Sequence, residues 1–134
     1  LVKDKRIIAT GYNGAPPGMP HCDGADGHQM ENGHCIRTVH AEENCILQAA
    51  VLGGQGTTGS TLYTTHSTCH HCFKAVAVAG VKRIVAGAEY LSPAVIEARK
   101  HAGIVLDYYQ PSPEWLDRLS AAFKAPLENY VSKA

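Results

Sequence analysis

His40, Glu42, Cys69 and Cys72 are the side chains of this sequence whose types and spacing can do chemistry together. A histidine nitrogen and cysteine thiolates are zinc donors, and zinc prefers four such donors in a tetrahedron. Cys69-His70-His71-Cys72 offers two from one short turn of chain, and His40 offers a third. Three protein donors leave one position to water, which is the arrangement of a catalytic rather than a closed structural site. Zinc lowers the pKa of bound water to about 7, so a nucleophile becomes accessible at neutral pH. Glu42 stands two residues after His40, close to the metal yet free to carry protons. The set implies hydrolytic attack on an electrophilic carbon, with Glu42 taking a proton from water and passing it to the leaving group. A structural zinc knuckle beside an incidental glutamate is the competing reading. H-x-E alone would not dismiss it; its conjunction with C-x-x-C argues against it.

Two helices must present these residues. Cys45, Ala49 and Leu52 recur at i, i+4 and i+7, with Ile46 and Ala50 alongside, so residues His40 to Leu52 are expected to be helical. Thr38 is the expected N-cap, and Gly53-Gly54 ends the run. A second helix is expected from Cys69 to Ala79, stopping at Gly80. Both donor groups then lie in first helical turns, where the positive end of the helix favours thiolates. Leu1-Val2 and Arg6 to Thr10 read as a hairpin about Lys3-Asp4-Lys5. Thr61 to Thr65, Lys82 to Gly87 and Ile104 to Tyr109 read as further strands. A third helix is expected from Pro93 to His101, capped by Ser92, and a fourth from Ser112-Pro113-Glu114 until Pro126 ends it. Strands alternating with short helices imply an α/β fold. The expectation is a three-layer α/β/α sandwich on a mixed, mostly parallel five-stranded sheet.

At 134 residues and 45% hydrophobic content, the chain is read as one domain over 1–134 with enough material for a core. Lysine plus arginine balances aspartate plus glutamate at 12 each, without a basic run, which disfavours a nucleic-acid partner but not a small anionic substrate. No apolar stretch approaches the roughly 20 residues of a membrane span, so no membrane partner is expected. No leader is visible, and a cytoplasmic location is the expectation. The sequence starts without methionine inside a strand pattern, which suggests that preceding residues are missing. Five cysteines and eight histidines point to metal rather than disulfides. Residues 18–38 read as an irregular zinc-loop insertion. There Cys22, His28, His34 and Cys35 form a candidate closed set for a second, structural zinc. Neighbours such as His34 and Cys35 share one ion only with a tight turn, so His21 or water is the alternative donor. Cys22 and Cys35 are the firmest of the set.

Three longer stretches carry a resemblance: Thr10-Gly11-Tyr12-Asn13-Gly14-Ala15-Pro16, Gly33 to Glu42, and Leu62 to Cys72, with Ala79 to Ile84 beside them. H-x-E followed by P-C-x-x-C is the zinc deaminase signature, and these surroundings resemble the deoxycytidylate deaminase family of the cytidine deaminase-like superfamily. The similarity covers residues 1 to 109; members of that family carry a helix and strand ahead of this point, so the resemblance implies a domain lacking its N-terminal helix. It implies conversion of dCMP to dUMP and ammonia, a homo-oligomer, dCTP and dTTP as effectors, and Mg2+ accompanying such an effector. Some members carry a second zinc near the corresponding loop. One position departs from the pattern: Thr68 stands where proline is usual, and threonine is expected to substitute as N-cap. The substrate-binding candidates are Asn13, Ala41, His66 and Tyr90. Asn13 is suited to a sugar hydroxyl or simply to a turn, His66 to the pocket wall, and Tyr90 to phosphate or to surface packing. His70 and His71 are expected to face solvent, and Cys45 to be core. The stripe Trp115, Leu119 and Phe123 is expected to be core packing rather than a subunit contact. The alternatives in function are a deaminase of another cytosine nucleotide or nucleoside, and a catalytically silent nucleotide-binding regulator.

Overall fold

A computed structural model describes residues 1–24, 27–54, 56–90 and 92–131, with side chains as far as residue 122. Strands β1 (Val2–Lys3) and β2 (Arg6–Ile7) form the expected antiparallel hairpin, Val2 opposite Ile7. Its turn residues Asp4 and Lys5 take φ of 50° and 62°, the mirror-image turn whose twist suits a two-residue hairpin. The loop that follows is more regular than its composition suggests. β3 (Met30–Glu31) and β4 (His34–Cys35) pair antiparallel around Asn32-Gly33, both at positive φ. Asn-Gly is the usual sequence for that turn.

Helix α1 (Ala41–Leu52) ends at Gly53 in the left-handed region. The chain continues through β5 (Thr61–His66), α2 (His70–Val78), β6 (Arg83–Ala88), α3 (Pro93–Ala102), β7 (Val105–Tyr108) and α4 (Pro113–Val131). The five-stranded sheet has the order β2-β1-β5-β6-β7. β1 joins β5 antiparallel, while β5, β6 and β7 run parallel, so the sheet is mixed as expected.

The core lies between this sheet and the first three helices. Leu62, Ile84 and Leu106 sit side by side on neighbouring strands. Cys45 from α1, Phe73 and Val76 from α2, and Val95 from α3 close over them. Fully burying one such aliphatic or aromatic side chain stabilises the fold by roughly 1.5–3 kcal/mol, so this layer fixes how α1 and α2 stand relative to the carboxyl ends of β5 and β6.

Three expectations need correction. α1 starts at Ala41 with His40 as N-cap, so Thr38 does not cap it. α4 runs through Pro126 to Val131. Proline removes the bond to the Ala122 carbonyl and crowds it with its ring, and Ala122 is exposed, so the carbonyl can tilt outward and bond to water. Trp115 and Leu119 are exposed rather than core, while the Phe123 side chain lies outside the described residues.

Candidate metal centre and active site

His40 and Cys69 occupy the same place on two helices. Each is an N-cap residue with extended backbone, His40 at φ −68°, ψ 151° and Cys69 at φ −70°, ψ 167°. Cys72 follows within the first turn of α2, and its N–H donates to the Cys69 sulfur at 3.5 Å. His40 Nδ1 comes to 3.6 Å from Cys69 Sγ and 3.4 Å from Cys72 Sγ. With zinc–nitrogen and zinc–sulfur bonds of about 2.0 and 2.3 Å, a tetrahedron has N···S edges of about 3.5 Å. The donors are therefore spaced for that ion. Charge points the same way. Burial pushes the Cys72 thiol up, and neighbouring Cys69 and the charge of Glu42 add to it. Two thiolates and a carboxylate crowded at a fully buried sulfur need a cation to coexist. The Glu43 backbone N–H is the contact that favours the Cys72 thiolate. These residues fit zinc.

Glu42, half-buried, follows Ala41 in the first turn of α1, and both line a cavity of about 370 Å³ with Thr10, Gly11, Thr64 and Thr65. The loop Gly11 to Gly14 is tied to that helix start. Gly14 and Val39 exchange both backbone bonds, at 3.2 and 2.9 Å. Asn44 Nδ2 donates to the Tyr12 carbonyl at 2.9 Å. Asn13 Oδ1 accepts the Ala41 N–H at 2.8 Å, supplying the cap bond that His40 does not make. Gly11 lies so close to α1 that an added Cβ would fall 2.3 Å from the Ala41 carbonyl oxygen.

Of the remaining candidates, His66 is exposed at the end of β5, and Tyr90 is half exposed beyond β6. Neither lines that cavity, nor does Asn13. His70 and His71 face solvent as expected, with His71 Nε2 3.3 Å from a Glu43 carboxylate oxygen. Cys45 is buried. Thr68 does not cap α2: Cys69 holds that position and Thr68 precedes it, 1% exposed, its hydroxyl without a partner among the described residues.

The loop cluster assembles in part. Donor atoms of Cys22, His28 and Cys35 lie within 4.8 Å of one another, and the two sulfurs are 3.6 Å apart. His34 is not in the set. Successive side chains of a strand point to opposite faces, so β4 sends Cys35 inward and leaves His34 exposed opposite Glu31. His21 is exposed and outside it as well. Sequence reasoning missed Thr38, whose hydroxyl lies 3.2 Å from Cys22 Sγ and donates to Cys35 Sγ at 3.3 Å. That bond first, then one with His28, draws the Cys35 thiol down to about 5. Arg37 ties the loop by donating to the carbonyls of Gly27 and Pro20 at 3.1 and 3.4 Å.

Residues 1–88 match the model of the cytidine and deoxycytidylate deaminase zinc-binding region. The chain is 40% identical over 108 residues to ComE operon protein 2 of Bacillus subtilis (strain 168), an overlap of 80% of this chain and 56% of that protein. It is 33% identical over 96 residues to the deoxycytidylate deaminase of Mycobacterium phage D29, covering 63% of this chain and 72% of the phage protein. A crystal structure of dCMP deaminase from the cyanophage S-TIM5 in complex with dCMP and dUMP superposes with a TM-score of 0.67 at 30% identity, covering 81% of this chain and 76% of that one. The chain thus spans little more than half the length of the Bacillus protein, at 56%. By its matched zinc-binding region and these relatives, the chain belongs to the cytidine and deoxycytidylate deaminase family, on the deoxycytidylate deaminase branch.

Proposed function

We propose that the chain catalyses the zinc-dependent hydrolytic deamination of dCMP to dUMP and ammonia. The observation that carries this reading is the convergence of His40, Cys69 and Cys72 on one point, beside Glu42 in the first turn of α1. Zinc bound there would supply Lewis acidity that makes water nucleophilic near neutral pH. Glu42 takes a proton from the attacking water and delivers it to the ring nitrogen next to the amino-bearing carbon. It then takes the remaining proton from the added hydroxyl and passes it to the departing amine as the carbon–nitrogen bond breaks and the carbonyl forms, so that dCMP and water become dUMP and ammonia. The role needs a carboxylate near the donors but not among them, and Glu42 is outside the three-donor set. Asn13, by holding the Ala41 N–H, keeps this turn in place. Its amide, Ala41, His66 and Tyr90 are the groups proposed to meet the substrate. A phosphorylated deoxynucleoside is favoured by the cyanophage relative, whose structure is of a complex with dCMP and dUMP.

A second, structural zinc at Cys22, His28 and Cys35 is part of the same proposal, in place of the Cys22, His28, His34 and Cys35 set. Three donors with the sulfurs 3.6 Å apart leave a fourth position, which a further side chain would have to close for the site to be structural. Elemental analysis of dialysed protein tests it. Two zinc ions per chain, falling to one in Cys22→Ser/Cys35→Ser, is the expected result; one in the unaltered chain contradicts it. Regulation by dCTP and dTTP, with Mg2+ on the effector, assembly as a homo-oligomer and a cytoplasmic location belong to the same proposal. Among the described residues no helix is long and apolar enough to cross a membrane.

Ammonia release from dCMP, CMP, dCTP and deoxycytidine is the deciding measurement. Preference for dCMP is expected. Turnover of another of the four instead would move the substrate assignment, and nucleotide binding without ammonia would favour a silent regulator.

A further inference from the structure

Ser67 lies in the short turn between β5 and the donor Cys69, and it is only 6% exposed. Its N–H donates to the Ala88 carbonyl at 2.8 Å. Its hydroxyl accepts the Tyr90 N–H at 2.7 Å and donates to the Tyr90 carbonyl at 3.2 Å. One side chain therefore satisfies both backbone groups of a residue 23 positions further on. β5 and β6 are neighbouring parallel strands with His66 opposite Ala88. The two loops accordingly leave the sheet side by side at its carboxyl end, where open α/β sheets bind their ligands. One loop goes on to Cys69 and Cys72. The other carries the Tyr90 ring, 49% exposed.

We infer that Ser67 is a positioning residue: it locks the backbone of Tyr90 onto the loop carrying the metal donors, so that the phenol hydroxyl is presented to the 5′-phosphate of the nucleotide. The inference rests on the reading above that the substrate is a nucleoside monophosphate. Without the Ser67 hydroxyl, the Tyr90 N–H and carbonyl have no partner on the donor loop, and the ring must be ordered anew each time substrate binds. Such a cost falls on binding rather than on the chemical step, and a substrate without phosphate is insensitive to it.

The test is a cycle of Ser67→Ala, Tyr90→Ala and the double variant, with zinc content and thermal melting measured alongside. For dCMP, Ser67→Ala should raise KM about tenfold with kcat within about twofold. Kd for dUMP should rise in parallel, while KM for deoxycytidine stays unchanged. In the Tyr90→Ala background, Ser67→Ala should add nothing, because the two act as a unit. Independent effects in the cycle, a fall in kcat at constant KM, or equal losses for dCMP and deoxycytidine would overturn the inference. Should Ser67→Ala not fold, Tyr90→Ala still decides, since its half-exposed side chain can be removed safely: an unchanged KM for dCMP is refutation. If the unaltered chain neither releases ammonia from dCMP nor binds dUMP, the functional reading itself has failed. A normal unaltered enzyme with an insensitive Ser67→Ala isolates the failure to this inference.

Discussion

Gly11→Ala is the sharpest single test of how the site is held. A Cβ at this position would lie 2.3 Å from the Ala41 carbonyl oxygen, 2.5 Å from the Cys45 nitrogen and 2.8 Å from the Cys45 Cα. All three are backbone atoms of α1, so no rotamer change can relieve the overlap. Ordinary contact begins at 3.4 Å, so α1 and the Gly11 loop must separate by about 1 Å, the difference between 3.4 and 2.3 Å. Overpacking typically costs about 1–3 kcal/mol, occasionally more, and a rigid backbone clash belongs at the upper end. The displacement falls on the turn that carries Glu42 and follows His40. A shift of about 1 Å in a catalytic group costs on the order of 10²-fold in rate. Gly11→Ala should therefore lose about 3 kcal/mol in urea unfolding, and kcat for dCMP should fall about a hundredfold. Gly14→Ala is the control: the three atoms nearest its Cβ would all belong to the Tyr12 ring, the closest at 2.8 Å, and that ring is exposed and can rotate. Unfolding and turnover should be near normal there. Gly11→Ala with unaltered stability and rate would refute the claim that close approach of this loop sets the position of α1.

Other outcomes follow from the same geometry. Glu42→Gln should keep its catalytic zinc by elemental analysis and lose at least about 10²–10⁴-fold in kcat; near-normal turnover would remove Glu42 from the mechanism. Thr68→Val should raise the melting temperature, because it replaces a buried hydroxyl without a partner, worth about 1–3 kcal/mol, by a methyl of equal size; a lower melting temperature would show that the hydroxyl is bonded. In metal-free protein, Cys35 should react with iodoacetamide with a midpoint near pH 5. Its folded pKa is lowered, so the stabilisation from this contact is present above the ordinary thiol pKa and fades as pH falls from there through about 5. A midpoint at the ordinary thiol value of about 8.5 would show that Thr38 and His28 do not act on it.

The candidate donors His40, Cys69 and Cys72 are legible in the sequence because their chemistry is written in short local motifs. H-x-E and C-x-x-C each sit at one helix start, and alternating strands and helices already imply that two such starts face the same sheet edge. Position along a strand was not legible in the same way. His34 and Cys35 are equivalent donors by composition, and only the existence of β4 decides that one turns in and the other out. The Asn32-Gly33 turn is a readable hairpin signal, obscured because its two flanking strands are each only 2 residues long. Ser67 could not have been found locally at all. Its partner is 23 residues away and comes beside it only through the parallel pairing of β5 with β6. The expected stop at Pro126 failed for the opposite reason. A local rule was applied to an exposed helix where solvent can repair the missing bond.

Thr38 and Thr68 failed as caps for one shared reason. Serine, threonine, aspartate and asparagine are favoured as N-caps because a side-chain oxygen can take a first-turn N–H, worth about 0.5–2 kcal/mol. In this chain the two cap positions are occupied by the candidate metal donors His40 and Cys69. His40 makes no cap bond, and Cys69 makes only a sulfur-accepted one at 3.5 Å. The capping role is therefore exported for α1, where Asn13 reaches across from the neighbouring loop to the Ala41 N–H. Placing donors at the cap gives up some helix stability and gains donors on the stiff ends of two packed helices, which is what a metal site of defined geometry requires. It also accounts for threonine where proline is usual. Residue 68 precedes the cap, its N–H makes no backbone hydrogen bond among the described residues, and its side chain need only be compact enough to be buried. Threonine and proline both meet those demands, so the substitution alters the packing ahead of Cys69 without touching the bonds that hold the donors.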